Sequence, residues 1–273
     1  MSLQIPYSVA REGHKVVVGK LLGKAAIDAA NKSKDGDAAN KFLFSFSAST
    51  HNNDAAKEGS SPYWDELWKG GMPAGEAFDA PAGCEALRRY LETMDLKGDE
   101  VALIPGAGRG HDAIVLAAHV GRVVSLDMSP HAIAAAKAWH AEQASPGVDK
   151  VEFVEGDFFE HEGAYDVIFD CTFLCALHPR ARERWAKQET KLLKPGGRVI
   201  SLVFPIESSM RTSAIQLVRY YMAGPPYTIS TALVEQLLNA EADYETEHCS
   251  AEHPHLAGNP MGATSALLVL KKK

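Results

Sequence analysis

The sequence predicts an α/β protein built on a doubly wound, mostly parallel sheet, and three features lead to that class. From residue 84 onward, short continuous apolar runs alternate with helical patterns. A glycine-rich turn, Pro105-Gly106-Ala107-Gly108-Arg109-Gly110-His111-Asp112, joins one apolar run to the helix after it. The next run ends on an acidic residue, Asp127, roughly 20 residues beyond the glycines. Strands separated by helices imply β-α-β units with right-handed crossovers, and continuous apolar runs suit strands covered on both faces. Such a sheet binds its ligand at the carboxyl ends of the strands. The loops after residues 105, 127, 157 and 170 are therefore expected to form one site.

The elements follow in order. Val16, Val17, Leu21, Leu22 and Ile27 recur on one side of a helix predicted over 8–30. The stretch 47–61, rich in Ser, Asn and Ala, reads as a loop, and 1–60 as an appendage to a domain spanning 61–273. A Trp-rich segment then runs from Tyr63 through Trp64 and Trp68 to Gly70-Gly71-Met72-Pro73. Helices are predicted over 84–94, 111–120, 129–144, 180–193 and 231–240, with Ser129 as a cap. Strands are predicted over 100–105 (EVALIP), 122–127 (RVVSLD), 151–155, 165–170 (YDVIFD), 198–204 (RVISLVF), 243–249 and 264–270. Lys194-Pro195-Gly196-Gly197 breaks the chain between helix and strand, and 206–227 reads as a partly helical insertion.

Composition removes several classes of function. With 46% apolar and 23% charged residues over 273 positions, the chain is an ordinary globular one. Its formal net charge of −7 and lack of a dense Lys/Arg block argue against a nucleic-acid partner. No apolar run approaches the roughly 20 residues that span a bilayer, and no secretory h-region opens the chain, so a cytoplasmic protein without a membrane partner is expected. Cys84, Cys171, Cys175 and Cys249 form no CxxC pair and no zinc-like cluster with His, so no metal is expected and the thiols read as reduced.

Chemistry enters with the glycine turn. Its glycines let the backbone approach a ligand closely, and the helix start behind them offers free N–H donors. The spacing is G-x-G-x-G, with His111 where the dinucleotide fingerprint has glycine, which turns the reading away from NAD. A carboxylate at Asp127 suits both ribose hydroxyls of an adenosyl group. Asp157, followed by Phe158, suits an adenine amino group and ring face. Tyr165-Asp166-Val167-Ile168-Phe169-Asp170 and Leu192-Leu193-Lys194-Pro195-Gly196-Gly197 complete the series.

These blocks, in this order, resemble the class I methyltransferases, whose Rossmann-like fold is a doubly wound, mostly parallel seven-stranded sheet. Within that group, Phe169-Asp170-Cys171-Thr172-Phe173-Leu174-Cys175-Ala176-Leu177-His178-Pro179, Trp185, Phe204-Pro205-Ile206 and Gly224-Pro225-Pro226-Tyr227 are similar to the thiopurine and thiol/halide methyltransferase family. The resemblance covers about residues 62–270. It implies S-adenosylmethionine as cofactor and S-adenosylhomocysteine as product. Gly106, Gly108, Gly110 and Asp112 would then lie along the methionine part, Asp127 and Met128 at the ribose, and Asp157 with Phe158 at adenine. Asp170, Cys171 and Thr172 would line the passage near the methyl group, while Trp64, Trp68 and Tyr227 would close the acceptor pocket.

Departures from the family pattern fall around the acceptor. The family's Pro-Trp-Asp is Pro73-Ala74-Gly75 here, Cys171 replaces a common aromatic, and Ile206 to Ala223 is an insertion. A small sulfur or halide acceptor is expected, with a carboxylated methylthio or thiopurine-like compound as the alternative. Methyl transfer chiefly needs alignment and a dry site, while a thiol acceptor also gains from a base, for which Asp170 and His178 are candidates. Arg211 and Arg219, with Tyr220 and Tyr221, are candidates for binding an acceptor carboxylate; the other reading is a solvated helix face. A non-catalytic sensor of S-adenosylmethionine, or an NAD-dependent oxidoreductase, are the competing classes.

Overall fold

The computed structural model describes residues 9–12, 15–18, 62–75, 78–145, 147–206, 225–254 and 264–273. The first described segments are two short strands, β1 (Val9–Glu12) and β2 (Lys15–Val18), paired antiparallel. They fall where a helix is predicted over 8–30. The consecutive β-branched residues Val16, Val17 and Val18 favour the extended chain, which corrects that expectation in its described part.

After α1 (Pro62–Lys69) and α2 (Glu85–Leu91), strands and helices alternate. They are β3 (Val101–Pro105), α3 (His111–Ala117), β4 (Arg122–Asp127), α4 (Pro130–Ala141), β5 (Val151–Glu155), β6 (Tyr165–Cys171), α5 (Arg182–Leu192) and β7 (Leu193–Ile206). Then come α6 (Thr231–Asn239), β8 (Tyr244–Cys249), the two-residue β9 (His253–Pro254) and β10 (Thr264–Lys272). The strand order is β5-β4-β3-β6-β7-β10-β8, with β9 paired to β10. Pairs from β5 through β7 are parallel, and β10 runs antiparallel to both β7 and β8.

Local sequence explains the punctuation. Ser129 caps α4, its Oγ accepting the Ala132 N–H at 3.1 Å, with Pro130 preset for the first turn. Ser230 caps α6 in the same way through Leu233. At Lys194-Pro195-Gly196-Gly197 the β6–β7 register jumps from Tyr165↔Leu193 to Val167↔Arg198, and Gly196 supplies the positive φ of 76°. The continuous apolar strands serve two cores. Trp185, Leu192, Val234 and Leu238 pack one side of the sheet, while Leu87, Leu91, Val115 and Leu116 pack the other. β3 and β6 are neighbours in the sheet but distant in sequence. The loops that follow them thus flank the point where the strand order reverses, where such sheets bind ligands.

Candidate functional site

A cavity of about 1250 Å³ lies at these carboxyl ends, lined by Gly106, Gly108, Asp112, Asp127, Met128, Asp157, Phe158, Cys171 and Thr172; Gly110 does not line it and packs instead toward His140, Ser125 and Phe153. Gly106, Gly108 and Gly110 have φ values of 58°, 56° and 74°. A Cβ on Gly106 would stand 2.4 Å from a Phe173 ring carbon, and one on Gly108 would stand 2.9 Å from Trp68. Both glycines are required by close approach as well as by the left-handed backbone.

Asp127 ends β4 in a buried position. Its Oδ2 accepts the Gly108 N–H at 2.9 Å and its Oδ1 the Ser129 N–H at 2.9 Å. Burial pushes this carboxyl above its ordinary value, against those hydrogen bonds. Asp157 accepts the Phe159 N–H through Oδ1 at 2.9 Å, which turns the chain so that buried Phe158 faces the cavity.

The cover comes from α1 and the segment after it. Trp64 and Trp68, one helical turn apart, both meet the ring of Phe78 edge-on, at 5.4 and 6.2 Å between centroids. Asp65 fastens α1 to the start of α4, accepting from Ser129 Oγ at 2.6 Å and His131 Nδ1 at 2.8 Å. Asp79, its side chain only 3% exposed, accepts from Arg109 Nε at 2.9 Å, His111 Nε2 at 2.8 Å and the Gly75 N–H at 3.1 Å. Burial pushes the Asp79 carboxyl up, but His111 and Arg109 outweigh it and hold it below the usual range. Arg109 also donates to Met72 O at 2.7 Å and lies over the Trp68 ring at 5.3 Å. Asp79, Arg109 and His111 escaped the sequence reading as site residues, and the Phe-Asp dipeptide was the signal for them.

The wall opposite follows β6. Thr172 adopts φ 58°, rare for a residue with a side chain, and its Oγ donates to Cys171 O at 2.7 Å. Phe173 then turns in over Gly106 and Phe158. Asp170 is buried beneath this turn, not among the lining residues. It accepts the Leu174 N–H with both oxygens, at 3.1 and 3.2 Å, and Trp185 Nε1–H at 3.0 Å. Burial raises its carboxyl to about 6 despite those donors. His178 is half-buried, its Nδ1 accepting the Arg180 N–H at 3.2 Å and its ring meeting Tyr227 edge-on at 5.6 Å. Neither ring is among the described lining, although Tyr227 donates its N–H to Cys175 O at 2.7 Å and so ties Pro225-Pro226 to the cavity. Arg211, Arg219, Tyr220 and Tyr221 lie outside the described residues. Cys84, to which the sequence reading gave no role beyond a reduced thiol, lines the cavity with Cys171. No cluster of three or more metal-ligating side chains occurs among the described residues.

The thiopurine S-methyltransferase family model matches residues 60–266. A probable thiol methyltransferase 2 of Arabidopsis thaliana is 34% identical over 183 residues, 66% of this chain and 73% of that protein. Thiocyanate methyltransferase 1 of the same plant is 36% identical over 139 residues, 50% of this chain and 55% of that one. A thiopurine S-methyltransferase of Vibrio campbellii is 24% identical over 210 residues, 71% and 90% of the two chains. Among solved structures, a putative O-methyltransferase of Nostoc punctiforme aligns with a TM-score of 0.57 at 19% identity, over 88% of this chain and 74% of that one. A S-adenosylmethionine-dependent methyltransferase of Methanosarcina mazei aligns with a TM-score of 0.53 at 19% identity, over 65% and 94%. These structures share the Rossmann-like fold, and the family match sets the oxidoreductase alternative aside. The chain belongs to the thiopurine S-methyltransferase family, and it is a methyltransferase that uses S-adenosylmethionine.

Proposed function

We propose that this protein transfers the methyl group of S-adenosylmethionine to a small sulfur acceptor, a thiol or a thiocyanate-like anion, and to halide as a second protonless acceptor. The observation that carries this reading is the convergence of the glycine turn, two strand-end carboxylates and the Cys171–Thr172–Phe173 turn on one cavity. The names of the thiol and thiocyanate relatives point to sulfur. The cavity of about 1250 Å³ exceeds the roughly 300–1,000 Å³ of single-ligand pockets, so it has room for cofactor and acceptor together.

The residues present fit the cofactor. Asp127 spends one lone pair of each oxygen on a backbone N–H, leaving the others for ribose hydroxyls. Asp157 leaves Oδ2 for the adenine amino group, and Phe158 covers the ring. Gly106 and Gly108 line the end of the cavity where the methionine part would lie. Bound here, the cofactor supplies an electrophilic methyl group on a sulfonium sulfur.

The chain itself aligns the acceptor and keeps water out. Trp64, Trp68 and Phe78 cover one side, and Cys171, Cys175, Leu202, Phe204 and Leu267 give the other a soft, apolar lining. A protonless anion needs no more than this. The partner is then a small molecule, without nucleic acid or membrane. No helix among the described residues is long and apolar enough to cross a membrane, which supports a cytoplasmic setting.

An acceptor screen that follows S-adenosylhomocysteine tests the reading with bisulfide, small thiols, thiocyanate, iodide, thiopurines and carboxylated thioethers. Turnover of the small thiols or thiocyanate is expected. Tight cofactor binding with no acceptor methylated would instead make the protein a sensor.

A further inference from the structure

We propose that Asp112 is the catalytic proton acceptor for thiol substrates, an assignment that rests on the sulfur-acceptor reading. Asp112 is the second residue of α3, directly behind the glycine turn, and lines the cavity together with Cys84 and Cys171. The Cys84 N–H holds its Oδ1 at 2.6 Å and so fixes the direction of the carboxylate. Cys171, the last residue of β6, lines the cavity with it. The carboxylate and the end of β6 thus open onto one cavity, where an acceptor thiol can reach the carboxylate oxygens.

The other acid and base groups of the lining are committed elsewhere. Asp79 is held between Arg109 and His111, and His111 spends Nε2 on that contact. Asp127 and Asp157 accept backbone N–H groups at the adenosyl end. Glu85 is exposed and paired with Arg88 and Arg89. His248 meets the Tyr90 ring at 5.1 Å between centroids, tilted by 36°. Asp170 and His178, the candidates read from the sequence, do not line the cavity. The groups facing Asp112 are Cys84 and Arg88 from α2 and its cap, His111 from α3, and Cys171 from β6 with Asp170 beneath it. Burial pushes the Asp112 carboxyl up, against Cys84 N–H, His111, Cys171 and Arg88. A carboxylate of raised pKa is the stronger base.

In the step, Asp112 takes the acceptor's S–H proton as the acceptor sulfur bonds to the methyl carbon. The carbon's bond to the sulfonium sulfur breaks, and its electron pair stays on that sulfur. The proton then leaves Asp112 for water. A thiol with pKa near 8.5 is mostly protonated at neutral pH and needs this help, whereas thiocyanate has no proton to lose.

The test compares both acceptors in the wild type and in Asp112→Asn. With ethanethiol at pH 7 the variant's kcat is expected to fall about 100-fold, and with thiocyanate by less than about fivefold. The ethanethiol deficit should shrink as pH rises toward the thiol's own pKa, which for a simple alkanethiol lies above the ~8.5 of cysteine. The family resemblance puts Asp112 along the methionine part of the cofactor, and the calorimetric Kd for S-adenosylhomocysteine separates that role from this one: a proton acceptor leaves it within about threefold of wild type, well under 1.4 kcal/mol. Equal losses on both acceptors, or a weakened Kd, would overturn the assignment in favour of a cofactor-binding or structural carboxylate. An unchanged ethanethiol rate, or a wild type active on thiocyanate but not on thiols, would also overturn it while leaving the sulfur-acceptor reading intact. A wild type inactive on both would overturn that reading and this role together.

Discussion

At the scale of residues, Asp79 shows how one carboxylate links cover and cradle. It holds the segment after α1 against Arg109 and His111, which belong to the glycine turn and the first turn of α3. Asp79→Asn keeps the shape but leaves the Arg109 guanidinium, 11% exposed, without its counter-charge. Removing one member of a buried pair typically costs about 3 kcal/mol, and urea denaturation of the variant should register a loss of that order. The KM for S-adenosylmethionine should rise about tenfold, with kcat nearly unchanged, because the turn loses its alignment rather than its chemistry. An unaltered KM would show that the cover does not set the cradle. Asp127, Asp157 and the glycines were legible because a strand-end acid and a G-x-G-x-G turn have local signatures. Asp79 and Asp112 were not legible in these roles, because their meaning depends on which distant side chains meet them: Arg109 and His111 in one case, Cys84 and Cys171 in the other.

Elements carry the next level of control. α1 is eight residues long and is fastened to α4 through Asp65, whose carboxyl His131 and Ser129 hold below its usual range. Asp65→Ala should therefore free α1 without unfolding the sheet. Hydrogen exchange should speed up in residues 62–69 while β3 to β7 keep their protection, and uniform acceleration would disprove an independent cover. All seven main strands and the helices from 85 onward match the periods read from the sequence, with ends displaced by a few residues. Strands such as Val123–Val124–Ser125–Leu126 are apolar on both faces, which left little ambiguity. The reading failed at 9–12 and 15–18, the described part of 8–30, where spaced apolar residues mimicked a helical face although the Val run at 16–18 favoured extension.

For the whole molecule, the buried acids make stability depend on pH. Glu189 is fully buried, and among the described residues its carboxyl oxygens have no partner at hydrogen-bond geometry; burial and then the charge of Asp170 hold its carboxyl well above the ordinary 4.5, against the influence of Trp185. Folded Glu189 therefore keeps a proton that the unfolded chain loses above 4.5, so its contribution declines as pH rises through the interval up to its folded value. Glu189→Gln removes that dependence. Its stability relative to wild type should increase as pH rises above the unfolded value of 4.5, by at most roughly 1.4 kcal/mol per pH unit, measured by denaturant unfolding, and a constant difference would refute a neutral Glu189. The fold class and the cofactor end were readable because they repeat a pattern spread along the chain, whereas the acceptor end is assembled from α2, α3, β6 and the segments around Pro225. The sheet's own order has a consequence for synthesis. β10 lies between β7 and β8, and Lys272 Nζ reaches back to Thr190 O and Leu193 O. A nascent chain that has emerged only as far as β8 still presents the bare margin of β7, an unpaired ladder open to other chains. The ribosome must release β10 before that margin is sealed, which makes the interval of translation from residue 250 to 272 the time when chaperone protection matters most.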